Sequence, residues 1–145
     1  MTLSVGTAAP AFTAKDTNGN SVSLADYAGK TVVLYFYPKD DTPGCTKEAC
    51  SFRDYYANYQ DKDAVVLGVS ADNEASHKQF TEKFNLPFPL LADTDRSLIK
   101  AYDVDGGSYA KRVTYVIDGA GQITQVYDSV KTDTHASDIL ADLGA

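Results

Sequence analysis

Two short runs of unbroken apolar and β-branched residues interrupt an otherwise mixed pattern: Thr31 to Tyr37, TVVLYFY, and Ala64 to Ser70, AVVLGVS. A strand with one wet face would alternate, so continuous runs of this length predict central strands covered on both faces. Pro38 ends the first run. The following segment, CTKEACSFRDYYANY, carries helix formers with no internal Gly or Pro, and its opening turn is expected at about Pro43 to Thr46. After the second run, Asp72 is expected to cap a helix over NEASHKQFTEKF, with Ala75, Phe80 and Phe84 as its inward stripe.

Near the start, AFTAKD and SVSL flank a TNGN turn, where Asn18 and Gly19 are expected to supply the positive-φ positions of a tight hairpin. A short strand at Pro89 to Leu91 and a helix from Arg96 to Tyr102 come later. The hairpin Arg112 to Asp128 is built from RVTYVID, GAGQ and ITQVYD, and a helix from Asp133 to Leu143 closes the chain. The order β-β, β-α-β-α, β-β-α predicts a thioredoxin-like α/β fold, in which a mixed central sheet with an N-terminal β-hairpin is flanked by helices. No repeat, low-complexity tract or linker divides the sequence, so residues 1–145 are expected to form one domain. In open sheets of this class ligands gather beyond the carboxyl ends of the strands, which is where Tyr37 to Cys45 falls.

Charge narrows the possible partners. With 13 Lys+Arg against 20 Asp+Glu the formal charge is -7, which disfavours nucleic acid and anionic membrane surfaces. No stretch approaches the roughly 20 apolar residues of a membrane span. MTLSVGTAAPAF has neither a basic region followed by an apolar run nor an Arg-rich amphipathic character, so a cytoplasmic location is the default expectation. Two cysteines are too few for a disulfide framework, and in a reducing compartment a pair five positions apart reads as reactive or incidental.

At the first turn of a helix, Cys45 meets unpaired backbone N–H groups and the positive end of the dipole, which favour thiolate over thiol. Thr42, three residues earlier, can offer its hydroxyl to the sulfur or to a bound oxygen, and Pro38 and Pro43 stiffen the loop. Such a thiolate can attack a peroxide oxygen to give a sulfenic acid, which a second thiol can condense into a disulfide. Cys50 is the other thiol of the sequence. On a regular helix the two Cα atoms would stand roughly 8.6 Å apart, beyond the ~7 Å limit for a disulfide, so a bond between them requires the intervening turn to unwind. Buried apolar packing of both cysteines is the plain alternative.

The segment YFYPKDDTPGCTKEAC resembles the peroxidatic segment of peroxiredoxins, with Pro-x-x-x-Thr-x-x-Cys at Pro38, Thr42 and Cys45. A second cysteine five residues on resembles the bacterioferritin comigratory protein group, or Q subfamily. VGTAAPAF, LGVSADNEASHKQFTEKFNLPFPLLAD and RVTYVID resemble family blocks in the same order, so the likeness spans nearly the whole chain. It implies Cys45 as nucleophile, Cys50 as resolving partner, and Pro38, Thr42, Gly44, Cys45 and Arg112 as the peroxide-binding set. Glu48, three residues after Cys45 on the same helix side, is an accessory candidate for orienting Arg112 or Arg53, with a plain surface acid as the alternative. The resemblance further implies hydrogen peroxide and small organic hydroperoxides as substrates, and thioredoxin or a similar dithiol as reductant. No cofactor or metal is implied, because the sulfur itself carries the electrons. The segment YDVDGGSYAKR is shorter than is common in the group. There is no cysteine near the carboxyl end, which with Cys50 in the same helix favours intramolecular resolution and a monomer.

Three rivals bear on the same residues. A protein disulfide oxidoreductase would use C-x-x-C, whereas four residues separate these cysteines. A metal module would need Cys45, Cys50, His77 and His135 as ligands, without paired C-x-x-C spacing and with histidines on helices that read as surface. A redox sensor would use the same thiol chemistry without turnover.

Overall fold

The computed structural model describes residues 2–107 and 109–144. Seven strands form one sheet in the order β2-β1-β5-β4-β3-β6-β7, with β1 at Thr13–Lys15, β2 at Ser21–Ser23, β3 at Thr31–Phe36, β4 at Ala64–Ser70, β5 at Leu90–Ala92, β6 at Val113–Ile117 and β7 at Ile123–Tyr127. The central strands β3, β4 and β5 run parallel, whereas β6 pairs antiparallel with β3, and the amino-terminal hairpin closes the other edge through β1 and β5. The helices are α1 at Pro43–Asp54, α2 at Tyr56–Asp61, α3 at Glu74–Phe84, α4 at Ser97–Ala101 and α5 at His135–Gly144. This is the mixed, thioredoxin-like α/β sheet expected from the order of elements. Among the described residues no helix is long and apolar enough to cross a membrane.

The apolar runs are continuous because the sheet has a core on each side. Val32, Leu34 and Phe36 of β3 pack with Leu98, Ile99 and Tyr102 around α4, while Val33 and Tyr35, with Tyr37 just beyond, pack under α1, α3 and α5 against Phe52, Phe80 and Ile139. Alternation is therefore present in β3, but both of its sets are apolar.

Several local expectations are corrected. The first hairpin is not a two-residue turn with both Asn18 and Gly19 at positive φ. Of the two, Gly19 alone has positive φ, and the Asp16 carboxylate accepts from the Asn18 and Asn20 amides at 2.9 and 3.0 Å, an Asx-type turn. The α3 cap is Asn73, whose side chain accepts from the Ser76 amide at 2.8 Å, while Asp72 points back to Ser70 and the Asp40 amide. Ala75 is exposed, and the inward stripe of α3 is instead His77, Phe80 and the half-buried Phe84. The long helix breaks at Tyr55, which lies outside helical geometry at φ −104 and ψ 9. This turn lets Tyr59 drop into the core and donate to the Ala136 carbonyl at 2.7 Å.

Gly68 of β4 lies between Tyr35 on one neighbouring strand and Leu90 on the other. A Cβ there would stand 2.7 Å from Leu90 Cδ2 and 2.9 Å from the Tyr35 ring, so only glycine fits. Tyr35 in turn stacks on Phe52 of α1 with ring centroids 4.7 Å apart. Gly68→Ala is expected to destabilise the fold by about 1–3 kcal/mol through overpacking, read as a lower urea midpoint at unchanged slope; an unchanged midpoint would contradict this packing.

Candidate active site

The site is assembled where β3 ends and α1 begins. Thr42 is the N-cap residue, extended at φ −98 and ψ 155, and Pro43 takes the first helical position, where its missing N–H costs nothing. Cys45 follows within the first turn, 1% exposed, and Cys50 is half-buried one and a half turns on. Both are free thiols on one regular helix, so the sequence-based geometry of an unbridged pair holds.

Arg112, just before β6, is brought over the helix opening. Its Nη2 donates to Cys45 Sγ at 3.3 Å and its Nη1 donates to Glu48 Oε1 at 2.8 Å. Gly44 makes the approach possible, since a Cβ at that residue would lie 3.0 Å from Arg112 Nη2. Glu48 is thus no surface acid: it is 0% exposed and it orients Arg112 rather than Arg53, whose Nη1 donates to the Phe84 carbonyl. Thr42 does not spend its hydroxyl hydrogen on the sulfur; Oγ1 donates to the Lys39 carbonyl at 2.9 Å, which leaves its lone pairs available as acceptors. Pro38, half-buried, lines an open cleft of about 560 Å³ with Lys39, Ala71, Asp72 and Tyr109.

Two buried groups behind the helix were not legible as site residues. His135, expected on a surface, is 2% exposed, and its Nε2 lies 2.7 Å from Thr114 Oγ1 and 3.8 Å from Glu48 Oε2. His77 is buried as well, against Asp40. A helical polar residue at an i, i+3 offset from an apolar one, as His77 stands to Phe80, is a weak sequence signal for both burial and exposure. The metal reading through Cys45, Cys50, His77 and His135 is not supported: among the described residues the one set of three possible ligands within 4.8 Å is Asp40, Asp72 and His77.

Enclosure controls the charges here. Burial lifts the Glu48 carboxyl to about 7, against the opposing pull of Arg112. For Arg112 burial works against the cation, but Glu48 and then Cys45 outweigh it and carry its pKa above the usual guanidinium value. The partners differ because the Arg112 side chain is 22% exposed and Glu48 has no exposure at all. Burial also lowers the His135 imidazole to about 4, so it is neutral at neutral pH and forms no ion pair with Glu48.

A sulfur held under a guanidinium at the mouth of a helix, on a thioredoxin-like sheet, defines the class: a thiol peroxidase. The comparisons with known proteins supply the family. Residues 5–126 match the AhpC/TSA family. Peroxiredoxin Bcp of Bacillus subtilis is 44% identical over 151 residues, covering 99% of this chain and 96% of that protein. Among solved structures, a mutant of PrxQ from Xylella fastidiosa superposes with a TM-score of 0.94 at 31% identity, covering 99% of this chain and 97% of that one. The bacterioferritin comigratory protein of Xanthomonas campestris, described for its alkyl peroxide reduction activity, gives 0.86 at 34% identity over 92% of this chain and 90% of its own. The chain belongs to the AhpC/TSA family, among peroxiredoxins of the Bcp and Q type, and is a peroxide-reducing enzyme.

The opposed shifts of Glu48 and His135 give a sign that can be measured. From about pH 4.5 to about 7 the folded chain holds a proton on Glu48 that the unfolded chain has released, so this group makes stability fall as pH rises. From about pH 4 to 6.5 the unfolded chain holds a proton on His135 that the folded chain lacks, so that group makes stability rise. Each contributes on the order of 3 kcal/mol in full, and the two offset one another where their ranges overlap. Glu48→Gln removes the falling contribution, so its urea-unfolding free energy should gain roughly 2 kcal/mol relative to wild type between pH 4.5 and 6.5. Parallel profiles for the two proteins would rule out an elevated Glu48.

Proposed function

We propose that Cys45 is the peroxidatic nucleophile of this peroxiredoxin and Cys50 its resolving partner, acting on hydrogen peroxide and small organic hydroperoxides. The observation that carries the reading is the 3.3 Å contact between Arg112 Nη2 and Cys45 Sγ. In the first step the Cys45 thiolate attacks one peroxide oxygen; an S–O bond forms, the O–O bond breaks, and the departing alkoxide or hydroxide takes a proton to leave as alcohol or water. Negative charge thereby moves from sulfur to the leaving oxygen, and a fixed guanidinium beside both stabilises it along the way. Thr42, with its hydrogen given to Lys39, accepts the O–H of the incoming peroxide and so orients it. Pro38 shields the sulfur on the loop side, and Gly44 keeps room for Arg112.

The Cys45 sulfenic acid is then attacked by the Cys50 thiolate, releasing water and leaving a Cys45–Cys50 disulfide. Residues five apart on α1 stand roughly 8.6 Å apart at Cα, so the turn between them must open before the sulfurs meet. A dithiol such as thioredoxin returns the pair to the reduced state by exchange, taking the oxidising equivalents away as its own disulfide. With both thiols on one helix the cycle is completed within one chain, as a monomer.

A disulfide oxidoreductase is the alternative class, and the four-residue spacing within an intact helix disfavours it. Peroxide consumption recycled by thioredoxin, compared among wild type, Cys45→Ser and Cys50→Ser, tests the assignment. Cys45→Ser is expected to be inactive, and Cys50→Ser to complete the first oxidation but fail to turn over; full activity in Cys45→Ser would refute it. In the disulfide form, amide exchange is expected to accelerate across Thr46 to Phe52, and unchanged protection there would exclude the helix opening.

A further inference from the structure

The loop Tyr37–Asp41, which carries Pro38 and leads to Thr42, is fastened by a buried polar cluster that the chemistry above does not use. Asp40, 7% exposed, accepts at Oδ1 from the Tyr37 hydroxyl at 2.5 Å. Its Oδ2 accepts from the Ser76 hydroxyl at 2.8 Å and meets His77 Nδ1 at 2.7 Å. His77, 0% exposed, places its other nitrogen, Nε2, 3.0 Å from the Leu91 carbonyl. A carbonyl can only accept, so Nε2 carries a proton toward Leu91, while Nδ1 faces the Asp40 carboxyl that also collects two hydroxyl donors. The Asp40 amide is held in addition by Asp72 Oδ2 at 2.9 Å, and that oxygen also accepts from Ser70 Oγ at 2.6 Å. Each carboxylate oxygen facing His77 or the Asp40 amide thus already serves protein donors, which describes an anchor and not a vacant cation site.

The placement gives the cluster a direction. Tyr37 and Asp40 belong to the loop, whereas Ser76 and His77 belong to α3 and Leu91 to β5, so the loop is tied to the β4, β5 and α3 side of the sheet. Cys45 and Glu48 of α1 are tied instead to Arg112, beside β6. The geometry points to Asp40 and His77 as positioning residues that fix the peroxide-facing loop, Pro38 and Thr42 with it, independently of whether α1 is wound or open. In the open form the loop wall stays in place, and the site is rebuilt when only the helix re-forms. This rests on the peroxidase reading proposed above. A displacement of about 1 Å in a group that orients substrate is enough to cost up to about 100-fold in rate.

The test uses Tyr37→Phe, His77→Asn and Asp40→Asn in the full chain. Tyr37→Phe deletes one donor to Asp40 without changing the packed ring, and His77→Asn retains a short donor toward Asp40 while losing the ring that reaches the Leu91 carbonyl. Three quantities are read: the rate of Cys45 oxidation by hydrogen peroxide in a single turnover, the subsequent rate of disulfide formation, and exchange of the Asp40 amide. Expected are a peroxide step slowed at least about tenfold, unchanged disulfide formation, and faster Asp40 exchange with protection in β3 and β4 retained. A cluster that served stability alone would lower the unfolding midpoint and leave the peroxide step within twofold of wild type, and that result overturns the proposal. Should His77→Asn or Asp40→Asn fail to fold, Tyr37→Phe decides the matter by the same criteria. Should wild type itself not react with peroxide, the peroxidase reading fails, and the exchange data separately decide whether the loop is anchored here.

Discussion

The Arg112 guanidinium spans two buried groups, the Cys45 sulfur and the Glu48 carboxyl, and it is one cation facing two potential anions. That imbalance sets the character of the site. Glu48 Oε1 is held by Arg112, but Oε2 is buried without a hydrogen-bond partner, and the neutral His135 at 3.8 Å does not compensate it. A fully enclosed carboxylate left half-satisfied is costly, which is why burial outweighs the salt bridge and Glu48 protonates near neutrality. The guanidinium is accordingly not saturated by its structural partner. Much of its charge remains available to the sulfur and, in the proposed reaction, to the oxygen that leaves.

Everything that brings these three groups together lies in elements of different origin. The helix opening comes from Pro43 and the extended Thr42, the arginine from the start of β6, and room for their approach from the missing side chain of Gly44. Beneath them the β3 face supplies a floor of stacked rings, Tyr37 on Tyr35 and Tyr35 on Phe52, which sets the height of α1 over the sheet. Gly68 permits that floor by leaving space for the Tyr35 ring. The packing of the core and the reach of Arg112 to sulfur are in this sense one constraint.

The sheet was legible because its central strands are short, apolar and bounded by Pro38 and polar loops, and Cys45 was legible because Pro43 and the preceding loop mark a helix start. Thr42 and Pro38 stood out as loop residues before a helix start, and Gly44 and Arg112 from likeness to a family; the structure puts Thr42 and Gly44 in the opening of α1 with Arg112 over it, whereas Pro38 lines the cleft with Lys39 and Tyr109. What resisted reading depends on contacts remote in sequence. Glu48 was named as an accessory to Arg112 or Arg53, but nothing local separated that role from a plain surface acid until Arg112, 64 positions away, is set against it just before β6. His77 and His135 look solvent-facing because a polar side chain is buried only when its partners, Asp40 with Leu91 or Thr114, arrive from other elements. The break at Tyr55 carries no Gly or Pro; it accompanies the tertiary bond from Tyr59 to Ala136, which local propensity does not encode.

That break also bears on how far an opening of α1 can travel. Helix unwinding propagates readily along a continuous hydrogen-bonded ladder, because each released residue loses one bond and gains its freedom. Here the backbone turns out of helical φ, ψ at Tyr55, although its N–H still bonds Ser51 and its carbonyl still accepts from Tyr59 at 3.2 Å each, and beyond it Tyr59 is anchored to α5 within the core. On the other side, Asp40 and Tyr37 are fixed through His77 and Ser76 to α3. In the proposed opening, the stretch between these two anchors, Thr42 to Tyr55, contains both thiols, Glu48, and Phe52 as the side chain that would leave its stack on Tyr35 if the opening reached the end of the helix. An opening confined to the turns around Cys45 and Cys50 would release Glu48 from its enclosed position while keeping Phe52 seated. It would thus exchange the least comfortable buried group of the site for a disulfide, and retain the aromatic contact from which the helix can rewind.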